Sequence, residues 1–264
     1  METDELAESL NQRMHFSLAI PNPALGGEII REPGMLITCA RTLWPAGNSA
    51  LLTAPVGSVA ELERKTEAAD GCFAARNCRG VLFVADHLAE SVRSEAPGVF
   101  ARHGYSKATP VMGMAANGLA PPARALPDLD YSLVLGPVGH RTVLELNAIA
   151  HEAPLEWGED YCRRINLWSR PLFGIIARLE DRPVACAVTL PFDGRLYAAL
   201  VATVHEFRGL GCAEAVMRRS LEEAAAATGL SRTTLHATAM GRPLYLRMGY
   251  HDTASFTVYA KSQK

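Results

Sequence analysis

The chain has no surplus of positive charge. Its 26 lysines and arginines are nearly matched by 28 aspartates and glutamates, for a formal net charge of −2. That balance leaves no electrostatic footprint for nucleic acid or for an anionic membrane. The opening run Met1-Glu2-Thr3-Asp4-Glu5 is acidic and has neither the basic nor the apolar region of a signal peptide. No apolar run reaches the roughly 20 residues that a membrane span needs. The six cysteines (Cys39, Cys72, Cys78, Cys162, Cys186 and Cys212) form no C-x-x-C pair and have no histidine at metal-ligand spacing. Free thiols in a reduced, cytoplasmic protein without a metal are therefore expected.

What is present is apolar residue, at 48% of 264 positions, enough to fill one large core or two modest ones. The stretch Asn117–Asp130 holds three prolines and breaks helical and strand periodicity, so it reads as a linker. We place the linker at 121–130, between domains at 1–120 and 131–264. The two sides echo each other. Ala101-Arg-His-Gly104-Tyr105 and Leu246-Arg-Met-Gly249-Tyr250 each end a helical run at Gly-Tyr and lead into an extended stretch. Gly suits the left-handed position after a helix.

The element order agrees on both sides. In the first half, periodicity predicts a strand at Ser49–Thr53, a helix at Val59–Ala69, a strand at Gly80–Ala85 and a helix at Ala89–His103. In the second, it predicts a strand at Leu196–Thr203, a helix at Leu210–Thr228, a strand at Thr233–Ala237 and a helix at Pro243–Met248. Such recurrence points to duplication with divergence.

The most informative segment is Arg208-Gly-Leu-Gly211-Cys-Ala213, where a strand rich in β-branched residues runs into a helix. Glycines at 209 and 211 leave bare the backbone N–H groups of the helix N-terminus, which together with the helix dipole attract anions. A glycine-rich turn without a ligand is one reading of a lone Gly-x-Gly. A dinucleotide site would need a third glycine and a later acidic residue, and a Walker loop would need Gly-Lys-Ser/Thr; neither is present.

The segment resembles the Arg-x-x-Gly-x-Ala diphosphate signature of the GNAT N-acyltransferases. The stretch from Leu235 to Tyr250 is similar to the family's next conserved segment, in which a short helix delivers a tyrosine beside the coenzyme A sulfur. Together the two cover Val201–Tyr250, and a weaker likeness extends over Tyr131–Lys264.

The resemblance implies an α/β fold with a mixed sheet in an α+β arrangement, here as two tandem GNAT-like domains. It implies that backbone amides of Arg208, Gly209, Leu210, Gly211, Cys212 and Ala213 hold the diphosphate of acetyl-CoA. The pantetheine arm would lie along Val201, Ala202, Thr203 and Val204. Tyr245 would be the general acid, since attack on a thioester expels a thiolate that a nearby hydroxyl can protonate. The implied activity is transfer of an acetyl group to an amine, on a small-molecule acceptor. A non-catalytic acyl-CoA-binding or regulatory module is the alternative, and a nucleotide-binding protein a weaker one. Homo-oligomerisation is left open. Glu152, Glu156, Glu159, Asp160, Glu206, His205 and His236 lie near the motifs, but none is assigned as base. Trp157, Trp168 and Phe173 are candidates for an acceptor pocket or for core.

The counterpart of the loop in the first half, Thr53–Arg64, has no paired glycines. Ser58 and Glu61 form a capping-box pattern, and Glu61 with Glu63 would repel a diphosphate. This half is expected to be degenerate and to bind no cofactor, leaving it packing, acceptor-shaping or dimerising roles.

Overall fold

The computed structural model describes residues 4–261. One α-helix and two strands precede the first expected strand: α1 (Glu5–Ala19), β1 (Glu28–Glu32) and β2 (Met35–Cys39). The Asp4 side chain accepts from Ala7 N at 3.1 Å and starts α1. There follow β3 (Asn48–Leu52), α2 (Val59–Ala75), β4 (Val81–Ala85), α3 (Ala96–Arg102) and β5 (Tyr105–Asn117). Beyond the linker come β6 (Asp130–Leu133), α4 (Gly136–Ala150), α5 (Leu155–Arg164), β7 (Phe173–Leu179) and β8 (Arg182–Phe192). The chain ends with β9 (Arg195–Thr203), α6 (Cys212–Thr228), β10 (Arg232–Thr238), α7 (Arg242–Arg247) and β11 (His251–Lys261).

Two expected helices are corrected. The one over Ala89–His103 is split into a 3₁₀ segment, Asp86–Val92, and α3. Pro97 has no backbone N–H and fits only the first turn of a helix, so a new helix starts around it. The helix expected from Leu210 begins at Cys212, because Gly209 (φ +77°) and Gly211 (φ +94°) are both left-handed.

All eleven strands join one mixed sheet in the order β1-β2-β3-β4-β11-β5-β10-β9-β8-β7-β6. The last strand of each half lies inside the other half's territory. β11 pairs with β4, with Phe256 opposite Ala85, and β5 pairs with β10, with Gly113 opposite His236. At the centre β5 and β11 run antiparallel, Phe256 facing Val111. Outward from that seam the two sides match: β3 and β4 are parallel over three residue pairs, as are β9 and β10.

The cores show the same exchange. Ala254, Phe256, Val258 and Tyr259 of β11 pack in the core of the first half. Met114 and Ala116 of β5 pack in that of the second. The seven consecutive buried residues Val184–Leu190 of β8 mark a strand covered on both faces. Helices cross the seam as well. Glu8 of α1 pairs with Arg195 and Arg232, while Asp160 of α5 accepts from Leu43 N at 2.8 Å. The two segments bounded at 120 and 131 therefore share a single sheet.

Candidate functional site

β9 and β10 pair in parallel only at Leu196–Ala198 against Thr233–Leu235. Beyond that point they diverge, leaving the backbone of β9 from residue 199 onward without a β10 partner. A bulge sits at the divergence. The β8–β9 register slips between Cys186–Ala202 and Val188–Ala199, placing one extra residue in β9. Leu200 adopts φ +52° there, a conformation that costs a branched residue about 1–3 kcal/mol. The bulge is held from inside: the Leu200 carbonyl accepts from Asn147 Nδ2 at 3.2 Å and from Cys186 Sγ at 3.4 Å. Asn147 is buried and also donates to Val143 O. Sequence reading did not single out Leu200 or Asn147; the only signal was one polar residue on the apolar face of α4.

Val201–Val204 thus form one wall of an open wedge whose far end is the glycine loop. A 3₁₀ turn, His205–Phe207, carries the chain into it. Gly211 is the N-cap of α6 and no side chain caps that end, so its first N–H groups are left for a ligand or water. Glu214, the only acid of the first turn, is buried and paired with Arg218 at 2.7 Å. The Arg208 side chain turns away from the loop: Nη2 donates to Ala150 O at 2.6 Å and Nε to Thr203 O at 3.4 Å. The Arg208 backbone N–H is used as well, donating to His205 O at 3.2 Å, so the expected diphosphate role falls to the amides after Arg208 and not to Arg208 itself.

Tyr245 lies on α7, just past the other wall. It is 9% exposed. Its ring stands 6.0 Å from that of Tyr250, and its hydroxyl is 3.4 Å from where a Cβ on Gly241 would sit. Burial pushes its pKa up to about 12, so the hydroxyl keeps its proton at any working pH.

On the sheet face under α1, Tyr197 Oη lies 3.0 Å from His236 Nδ1, and His236 Nε2 lies 3.4 Å from Ser9 Oγ. His236 is packed between Phe83 and Phe256. Burial, and the nearby Arg13 cation, drive its pKa well below the ordinary value. It is a neutral core histidine.

The remaining acids are mostly exposed. Glu152, Glu156 and Glu159 face solvent, and Glu206 pairs with Arg182 at 3.0 Å. Asp160 is buried and structural, bonded to Arg164 at 2.7 Å and Arg163 at 3.2 Å. His205 is exposed. A cavity of about 580 Å³ lies between α4 and α5, with Glu156, Glu159, Arg141 and Arg163 on its walls. His140 also lines it, stacked on Trp168 at 4.3 Å. Trp168 thus backs a residue of the cavity wall and, like Phe173, packs against the core, while Trp157 is half-buried.

In the first half, Ser58 Oγ accepts from Glu61 N at 3.2 Å, and Glu61 Oε2 accepts from Gly57 N at 2.9 Å. The cap reaches one residue further back than a capping box does, yet it occupies the start of α2 with a carboxylate all the same.

Residues 171–252 match the family model described as an acetyltransferase (GNAT) domain. The whole chain is similar in fold to a GCN5-related N-acetyltransferase from Kribbella flavida (TM-score 0.69, 17% identity, 98% of this chain and 96% of that one). It is similar also to a GCN5-related N-acetyltransferase from Sphaerobacter thermophilus (TM-score 0.58, 15% identity, 86% and 76% covered). A tandem GNAT protein from the clavulanic acid biosynthesis pathway shares the fold at 10% identity (TM-score 0.53, 89% and 82% covered). No curated protein sequence matches the chain.

Proposed function

We propose that this chain, whose residues 171–252 match the GNAT acetyltransferase domain model, transfers an acetyl group from acetyl-CoA to the amine of a small-molecule acceptor. One observation carries the reading. The β9 edge left unpaired by β10 past Ala198, the uncapped N-terminus of α6 and the tyrosine-bearing helix α7 follow one another along the chain in the order that acetyl-CoA binding and thioester attack require.

In this reading the residues divide the work. The N–H groups of residues 209–213 bind the diphosphate. The free edge of Val201–Val204 takes the pantetheine amides, and the Leu200 bulge ends that edge where the thioester would lie. The acceptor's neutral amine attacks the thioester carbonyl; a C–N bond forms, the C–S bond breaks, Tyr245 gives its proton to the departing thiolate, and the proton that the new amide nitrogen sheds restores the Tyr245 phenol. An ordinary alkyl ammonium has a pKa of roughly 10.4, so the attacking amine must first lose a proton, and no side chain is assigned to take it. The first half would supply β5, α1 and the lid of the seam rather than a second site, since Glu61 stands where a diphosphate would go.

The rival reading, a non-catalytic acyl-CoA-binding module, is favoured by the burial of Tyr245. Thiol release from acetyl-CoA across a panel of amines separates the two. Acceptor-dependent release supports the enzyme; CoA binding without release from any amine supports the module.

A further inference from the structure

The stretch between β5 and β6 does not loop away from the molecule. Ala120 N donates to Met248 O at 2.8 Å, and Ala120 O accepts from Arg218 Nη2 at 2.7 Å. The chain then crosses the N-terminus of α6 and enters β6 at Asp130. At the crossing Arg124 Nη2 donates to Gly209 O at 2.6 Å. Pro127 Cδ lies 3.2 Å, and Arg124 Nη2 3.6 Å, from the point where a Cβ on Gly211 would sit. Pro121, Pro122 and Pro127 fix φ along this strap and limit its freedom to swing.

The charges there are informative. The N-terminus of α6 carries positive partial charge, and Arg124 sets a full positive charge against it. Among the described residues Arg124 has that one bond and no ion pair, and Glu214 is committed to Arg218. The loop's own Arg208 is committed elsewhere, to Ala150 and Thr203. Like charges juxtaposed in this way become favourable once an anion lies between them.

We propose that the strap is part of the cofactor site and that Arg124 is a ligand of the CoA phosphates. The inference rests on the acetyl-CoA reading above. A guanidinium has five N–H donors, and the bond to Gly209 O uses one, holding the group in place while the others meet phosphate oxygens. The linker would thus supply the side-chain cation that the glycine loop does not, and the junction between the halves would be a phosphate clamp.

The test is CoA titration by calorimetry on the full chain, for wild type, Arg124→Lys and Arg124→Gln, at low and at physiological salt. The companion measurement is turnover with acetyl-pantetheine, a donor without the nucleotide. Losing a hydrogen-bonded charge should raise the CoA Kd about 10- to 100-fold in Arg124→Gln, less so at higher salt, with Arg124→Lys intermediate. Acetyl-pantetheine turnover should be unchanged. Wild-type affinity in Arg124→Gln would overturn the clamp and leave the acetyl-CoA reading standing. Tighter binding would overturn it too, showing the strap to be an obstruction. An equal loss with acetyl-pantetheine would reduce Arg124 to a structural role. A wild type that binds no CoA would end both readings.

Discussion

Arg208 donates from Nη2 to the carbonyl of Ala150 at 2.6 Å, so the arginine of the glycine loop fastens that loop to the end of α4. A charge-assisted bond to a helix-terminal carbonyl is worth about 1.5–3 kcal/mol. Arg208→Ala should lower unfolding stability by about that amount, read as a shift of the urea midpoint at constant slope. CoA affinity should fall only as far as the loop loosens. Undiminished stability with abolished CoA binding would instead mean that the guanidinium meets the phosphates directly.

Gly211 requires its left-handed φ of +94°, and a side chain there would press on Pro127 and Arg124. Gly211→Ala should weaken CoA binding, since an L-residue costs about 1–2 kcal/mol in this region and shifts the strap. Gly211→Glu should abolish binding by adding a carboxylate. Titration of wild type should give one CoA per chain. Two per chain would mean that the Glu61-capped turn binds CoA as well.

Tyr245→Phe should reduce kcat by about 10²–10⁴ with CoA affinity preserved. With a pKa of about 12, Tyr245 stays protonated through the ordinary range, so its ionisation should produce no alkaline loss of kcat until about that pH. The sign for stability follows: the raised value favours the fold at pH below the unfolded-state value of about 10, and that benefit is lost as pH rises through about 12. A variant as fast as wild type in single-turnover measurements removes Tyr245 from the chemistry.

His236 is neutral in the fold because burial depresses its pKa. Its contribution to stability is present above the unfolded-state value of about 6.5 and is lost as pH falls below it toward the folded value. Urea titrations between pH 7.5 and 5 should show stability declining, and His236→Phe should flatten that slope while lowering stability at pH 7.5, where Tyr197 loses its partner. An unchanged slope in the variant would assign the acid sensitivity to other groups, His151 among them.

Because β11 completes the first half's core and β5 the second's, neither 1–130 nor 131–264 should fold alone as a stable monomer. Each fragment would expose the edge its missing strand covers and leave Phe256 or Met114 without its core. Co-expression should recover a one-to-one complex with native circular dichroism. A folded, monomeric, CoA-binding 131–264 fragment would contradict this.

Much of the arrangement was legible locally. The β9–loop–α6–β10–α7 order could be read because each signal in it is short-range: β-branched runs, two glycines, a 3.6-residue period, a glycine stop at Gly229. The Gly-Tyr echo was legible too, and in the structure both copies introduce the two central strands. Other features were not. The split at Pro97 was hidden by apolar residues on either side, and the bulge at Leu200 has no glycine to announce it.

The sequence by itself determined the repeated order of elements, the bare and uncharged N-terminus of α6, and the acidic cap of its counterpart. These depend on residues within a turn or two of one another. Only the tertiary structure decided that the halves exchange their last strands, that Arg208 faces Ala150, and that Arg124 lies on the glycine loop. Strand pairing and the direction of a long side chain depend on partners distant in the chain. The runs of consecutive buried residues at 113–116 of β5 and 256–259 of β11 suit either neighbour equally well, so the choice falls to whichever core Phe256 and Met114 can fill.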